Sequence, residues 1–243
     1  MSWFKEWFNT PYYHILYKDR DFVEAENFIT HLTQELQLPE NSKIIDLACG
    51  KGRHSVFLNQ LGYEVLGVDL SEESINHNKK FENEKLKFKV HDMRDELFPE
   101  ISGKVDAVFN LFTSFGYFDD DDDDRKVFES VKNVLNEDGI FILDFLNETF
   151  LKNTLVEKYA LHREGIDFFM TKKIENQHII KDIFFEDKGK KFHYFEKVKL
   201  HTLEGIIKLA EENGFTVEKT WGNYQLEKFD KETSPRCIFK FKI

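Results

Sequence analysis

Residues 44–55, IIDLACGKGRHS, pass from an apolar β-branched run through two glycines into a helix-forming segment. Gly50 and Gly52 allow a backbone to approach a ligand where any Cβ would collide. Asp46 stands at the carboxyl end of the run, where a carboxylate can meet a positively charged ligand group. A second acid, Asp69, ends the next apolar run, EVLGVDL (64–70). In doubly wound sheets that position receives the two hydroxyls of a ribose. A third, Asp92, follows LKFKV in the run 86–92, where an adenine edge would lie. Three acids at three successive strand ends place a small-molecule site on one rim of a sheet.

Outward from this stretch the same texture continues. KIIDLA (43–48), EVLGVDL, LKFKVHD, KVDAVFNLF (104–112) and IFILDF (140–145) read as short buried strands. Helical patterns lie between them at 52–61, closed by Gly62, at 71–84, and at 120–138, closed by Gly139. Strands alternating with helices predict a parallel sheet with right-handed crossovers. Before it, Trp3, Phe4, Trp7 and Phe8 recur at helical spacing, and Phe22, Ala25, Ile29, Leu32 and Leu36 mark a second helix that stops before Pro39. After residue 150, FFMTKKIEN, HIIKDIFFED and KFHYFEKVKLH are separated by ENQ and DKGK, an antiparallel meander. TLEGIIKLAEENG, with Thr202 as N-cap, and the strands FTVEKTW and RCIFKFKI close the chain. The expected fold is α/β: a doubly wound, Rossmann-like, mostly parallel seven-stranded sheet with an antiparallel β insertion after strand five. Its parts are a helical cap (1–38), a cofactor-binding core (39–150), an antiparallel substrate lobe (151–201), and a last helix and strands completing the sheet (202–243).

The bulk composition narrows the function. A 243-residue chain of net charge −11 repels polyphosphate, and no basic patch with interleaved aromatics offsets this, so a nucleic-acid partner is not expected. No run approaches the length of a membrane span, and the N-terminus lacks the pattern of a signal peptide. Cys49 and Cys237 form no CxxC pair, which suits a reducing cytosol; the expected location is cytoplasmic. The nine histidines form no ligand pattern, so no metal site is expected.

The kind of cofactor follows from the same loop. A dinucleotide fingerprint needs a third glycine where this chain has Ser55, and it has no use for an acid at 46 beside a pyrophosphate. S-adenosylmethionine carries an ammonium and a sulfonium and no phosphate, so Asp46 suits it. A nicotinamide-dependent oxidoreductase is the alternative, and a non-catalytic cofactor-binding module a second one. D-L-A-C-G-K-G, then G-V-D-L-S, then H-D-M-R, in this order across residues 40–150, resembles the class I S-adenosylmethionine-dependent methyltransferases. The resemblance implies that Asp46, Ala48, Gly50 and Gly52 surround the methionine part of the cofactor. It implies that Asp69 binds the ribose, that Leu70 lies against the adenine, and that Asp92 and a Met93 backbone donor read the adenine edge. Ala48 departs from the glycine common in the family. Arg53 is expected to pair with the cofactor carboxylate, with Arg20 a second candidate, and Asn110 to end strand four at the cofactor rim.

TPYYHILYKDRDFVEA (10–25) and FTSFGYF (112–118) are similar to segments of small-molecule methyltransferases, including sugar N-methyltransferases. There an aromatic N-terminal segment closes over the cofactor and a loop after strand four carries a catalytic Tyr or His. The matching residues here are Tyr13 and Tyr117, expected to position or deprotonate a small-molecule acceptor through nitrogen or oxygen. Tyr12, Tyr13, Tyr17, Phe112 and Tyr117 are expected to wall a sulfonium centre, since aromatic faces attract a cation without competing as nucleophiles. His14 and His91 are possible bases, whereas His54 is expected to point away. The run Asp119–Asp124 is expected to cap the next helix, with the surplus charge facing solvent.

Overall fold

The computed structural model describes residues 3–18, 22–97 and 103–243. Five strands follow the predicted order: β1 (Lys43–Leu47), β2 (Glu64–Asp69), β3 (Leu86–Val90), β4 (Val105–Asn110) and β5 (Leu135–Leu146). Two later strands, β10 (Thr216–Trp221) and β11 (Arg236–Lys242), complete a sheet that among the described residues has seven strands in the order β10-β11-β5-β4-β1-β2-β3. β1 through β5 pair in parallel, and β11 runs antiparallel between β5 and β10. Successive residues of each central strand face opposite sides. Ile45, Leu47, Val108 and Phe141 enter one core cluster, and Ile44, Ala107, Phe109 and Ile142 the other. Both faces are therefore apolar, which is why these strands read as continuous hydrophobic runs.

Helices cover the faces: α3 (Phe22–Leu36), α4 (Arg53–Gln60), α5 (Glu72–Asn78), α6 (Asp121–Val134) and α8 (Leu203–Glu212). Local caps set their starts. The hydroxyl of Ser71 accepts from the Ser74 amide at 3.2 Å, and that of Thr202 from the Gly205 amide at 2.9 Å. The end of α6 differs from expectation. It stops at Val134 and the chain turns extended at Leu135, so Gly139 lies in β5 and is no helix stop. Glycine is needed there because a Cβ would stand 2.8 Å from the Asn136 carbonyl oxygen.

The second sheet, β6 (Lys158–Arg163), β7 (Ile166–Glu175), β8 (His178–Asp187) and β9 (Lys190–Lys199), is an antiparallel meander. Three short helices, α1 (Trp3–Phe8), α2 (Pro11–Leu16) and α7 (Glu148–Thr154), border it and the core. Trp7 and Leu16 are buried against Phe168, Met170, Ile183 and Phe185 on its inner face. Neither α2 nor β6 was visible in the periodicity. Yet α2 carries a readable start: Thr10 caps it and Pro11 occupies its first turn.

Candidate active site

The strand order reverses between β1 and β4, and parallel sheets bind ligands in the crevice at that reversal. The loop after β1 stands there. Its Cys49 amide donates to the Val68 carbonyl (2.9 Å), which fixes the loop to β2. Gly50 has φ 53° and nothing within 4 Å of where a Cβ would be, on the wall of the cleft. Ala48, at φ 62°, holds a left-handed conformation at a cost of about 1 kcal/mol and lines the same cleft. Gly52 is different. A Cβ there would meet the Phe88 ring at 2.9 Å, so this glycine is required by internal packing rather than by close approach of a ligand.

One half of the cleft is lined by Ala48, Asp69, Leu70, Asp92, Met93 and Tyr117, with Phe4, Phe8 and Asn9 closing it from the N-terminal segment. The Asp69 carboxylate accepts from the Gly50 and Ser71 amides, both at 2.8 Å. Burial raises its pKa, and those two hydrogen bonds oppose the shift. Asp92 is clamped by Arg94, whose guanidinium lies 2.6 Å from one carboxylate oxygen and donates to the other at 3.0 Å. Arg94 also reaches Asp123 at 2.9 Å, so the edge of this half is tied to α6.

The other half is lined by Tyr13, His14, Tyr17, Asp46, Gly50, Arg53, His54 and Phe112. Asp46 is buried, and its carboxylate accepts the Ser55 hydroxyl at 2.5 Å. Burial pushes its pKa up to about 6, against that hydroxyl, and the nearby Asp69 charge adds to the rise. Arg53 lies 4.1 Å above the Phe112 ring and 3.5 Å from Glu24. Contrary to expectation, His54 faces this cleft. It packs on Phe112 (5.0 Å between ring centres), and its buried Nε2 has no hydrogen-bond partner among the described residues. Desolvation holds the imidazole neutral, well below its usual pKa. His14 is likewise lowered to about 4, first by burial and then by the Lys51 charge.

A third cavity, of about 380 Å³, adjoins both halves. Phe8 and Tyr117 are shared with the first half, and Tyr17 and Phe112 with the second. Its far walls come from α7 and from the inner face of the second sheet, through Leu151, Tyr159, Lys172, Ile179, Lys181, Glu196 and Val198. Phe112 owes its place to a network that sequence reasoning missed. The fully buried Asp144 accepts from the Phe112 amide (2.7 Å) and from Arg236 (2.8 Å), and Arg236 also donates to Thr113 (2.7 Å). Phe112 and Thr113 both have positive φ, 58° and 61°, so these bonds hold a strained turn in place. The available signal was an aspartate inside the apolar run IFILDF.

Several expected residues lie elsewhere. Tyr12 is on the opposite face of α2, its hydroxyl donating to Asp187 (2.9 Å) and its ring against Phe185 and Phe192, and it lines none of these cavities. Asn110 is fully buried and donates to the Leu47 carbonyl (3.0 Å); it braces β4 on β1 and lines none of these cavities. Arg20 lies outside the described residues. The aspartate run caps α6 and, as expected, Asp119–Asp122 are exposed to solvent, but most of its charges are also paired. Asp120 caps α6, Asp119 meets Lys197 at 2.5 Å, Asp121 meets Lys199, and Asp123 meets Arg94 and Lys126. Asp124 is buried beside Lys199 (3.3 Å) and His201 (3.1 Å). Among the described residues, no three His, Cys, Asp or Glu side chains are grouped to hold a metal ion, and no helix is long and apolar enough to cross a membrane.

Residues 44–139 match the methyltransferase domain family. Together with the fold, this match supports a class I S-adenosylmethionine-dependent methyltransferase, with S-adenosylmethionine as the cofactor. A putative methyltransferase, YqeM of Bacillus subtilis, is 38% identical over 112 residues, 45% of this chain and 44% of that protein. A glycine/sarcosine N-methyltransferase of Aphanothece halophytica is 34% identical over 132 residues, 53% of this chain and 48% of that one. The chain thus spans about half the length of these relatives. An S-adenosylmethionine-dependent methyltransferase structure from Clostridium acetobutylicum superposes with a TM-score of 0.78 at 23% identity, over 96% of each chain, and shares the fold. The cleft suits the cofactor: Gly50 leaves open space where a side chain would intrude, and the buried Asp46 and half-buried Asp69 offer carboxylate acceptors for an ammonium and hydroxyls.

Proposed function

We propose that the chain transfers the methyl group of S-adenosylmethionine to a small-molecule acceptor held between the two sheets. The observation that carries this reading is the shared wall. Tyr17 and Phe112 line both the methionine half of the cleft and the 380 Å³ chamber, so a nucleophile in the chamber reaches the cofactor across them. A chamber of that size suits a small molecule. Nitrogen is favoured as the accepting atom because a relative carries the name glycine/sarcosine N-methyltransferase.

When bound, the cofactor supplies an electrophilic sulfonium methyl. The protein's part is to hold, align and desolvate. Asp69 takes the ribose hydroxyls, Leu70 and Met93 flank the adenine with Asp92 at its edge, and Asp46 faces the ammonium. Arg53, which lines the same half of the cleft as Asp46, takes the cofactor's carboxylate. The rings of Tyr13, Tyr17 and Phe112 exclude water from the transfer point and compete with no nucleophile. Tyr117, on the wall between the adenine half and the chamber, positions the acceptor, while Tyr13 lines the methionine half of the cleft and not the chamber. The Tyr17 hydroxyl donates to Glu196 and accepts from Lys181, both at 2.5 Å, which offers a route for a proton leaving the acceptor.

Calorimetric titration tests the reading: S-adenosylhomocysteine binds and NADH does not. Binding of NADH alone would return the chain to the oxidoreductases. A pH series adds an independent check. An ionised Asp46 is needed opposite the ammonium, and in the ligand-free protein it titrates at about 6. Affinity is therefore flat above that pH and falls roughly tenfold per unit below it, because a bound cation favours the charged form. Asp46→Asn binds more weakly and loses this slope. A flat profile in the unaltered protein contradicts the assignment.

A further inference from the structure

The charged groups that line the chamber are engaged within the protein. Lys181 lies 3.6 Å from one oxygen of Glu196, and the other accepts from Trp7 (2.9 Å) and Tyr17 (2.5 Å). Arg236 is 2.7 Å from the buried Asp144, Glu24 is 3.5 Å from Arg53, and the Lys172 ammonium stands 4.9 Å from the Tyr159 ring. The apolar groups are less fully used. Leu151, half-buried on α7, and Ile179, buried on β8, belong to none of the core clusters formed by the described residues, and both line the chamber. Ile179 stands opposite Val198 in the sheet, and Val198 is half-buried on the chamber wall, as is Leu146. Trp3, Phe8 and Tyr117 add an aromatic corner. Trp3 is edge-on to Phe8 (5.8 Å between ring centres, 70°) and to Tyr117 (5.5 Å, 87°). Leu146, Val198 and these three rings all rest on one core cluster, which makes them parts of a single apolar wall.

Apolar surface gains by leaving water in proportion to its area. The chamber, at about 380 Å³, has room for roughly a dozen waters at ~30 Å³ each. An acceptor as compact as glycine would leave most of that wall wet.

We infer that the acceptor is an amine with an apolar body of phenyl size or larger, seated on Leu151, Ile179 and the aromatic corner, with its nitrogen toward Tyr17 and Phe112. This rests on the methyl-transfer reading and deepens it. Rings already set edge-on offer faces and edges on which a further ring packs well. Leu151 is then a specificity-determining residue, the part of the wall that no core cluster needs.

The test is calorimetric titration of phenylethylamine and, separately, ethylamine into the protein at one pH, with and without saturating S-adenosylhomocysteine. Phenylethylamine binds saturably at one site, about tenfold or more tightly than ethylamine, as burial of a phenyl group requires. In Leu151→Gln its affinity falls about fivefold or more, the loss expected when apolar contact area is replaced by an amide, while the melting temperature and S-adenosylhomocysteine affinity stay the same. A smaller preference for phenylethylamine, its failure to bind up to about 50 mM, well beyond a millimolar site, or equal binding by the variant overturns the inference. The comparison of the two amines needs no variant, so it decides the matter even where Leu151→Gln fails to fold. Failure of S-adenosylhomocysteine itself to bind counts against the methyl-transfer reading alone, since the amines are also titrated without it.

Discussion

Asp69→Ala weakens S-adenosylhomocysteine binding by roughly ten- to a hundredfold, the loss expected when a buried charge-assisted pair of hydrogen bonds is removed. Two effects add. The ribose hydroxyls lose their acceptor, and the Gly50 and Ser71 amides lose theirs, since both donate to this carboxylate at 2.8 Å. The second effect loosens the loop that carries Ala48 and Gly50, so the ligand-free variant also melts somewhat lower. Asp69→Asn keeps the shape and one acceptor oxygen, and falls between the two. Calorimetry on the three proteins decides it; an unchanged affinity in the alanine variant removes Asp69 from the cofactor site.

The largest stability effect is expected at the C-terminal end of the chain. Arg236→Met leaves Asp144, which has no exposed surface, as a buried carboxylate without its counter-charge. Breaking a buried pair on one side costs about 3–5 kcal/mol, or roughly 10 °C of melting temperature in a chain of this size. Burial already raises the Asp144 pKa despite Arg236, so the variant takes up a proton there on folding and its deficit shrinks as pH falls. Pairing it with Asp144→Asn recovers part of the loss, because the charge that needed a partner is gone. Both single variants also free the Phe112 turn and weaken turnover. Thermal denaturation across pH checks the assignment, and a melting temperature within 2 °C of the unaltered protein, against the ~10 °C expected, refutes it.

How much of this was legible in the residues varies with the range of the interaction. Asp46, Asp69 and Asp92 could be set on one rim because each sits at the end of an apolar run, and the sheet brings such ends together. The glycines of the loop were visible as well, though the reason for one was not: Gly50 faces open space as expected, while Gly52 is pressed against Phe88. Choosing among the tyrosines failed for want of a helix. Once Pro11–Leu16 is helical, Tyr13 and Tyr17 share a face by their spacing of four, and Tyr12 turns to the other side. Asp144 was hidden because its partner is 92 residues away, on a strand that doubles back antiparallel beside β5. Single-strand periodicity carries no trace of such a pairing.

The clasp between α6 and β9 follows the same logic at longer range. Asp119 and Asp121 meet Lys197 and Lys199, each partner 78 residues on, and Asp124 meets His201. Read along the chain, the aspartates are one half of a key whose other half is cut into the second sheet. That sheet is therefore no interchangeable part. A sheet transplanted from a relative to alter what the chamber accepts would arrive with other residues at 197, 199 and 201. It would leave Asp119, Asp121 and Asp124 without their counter-charges at one helix start, unless the acidic run travelled with the graft.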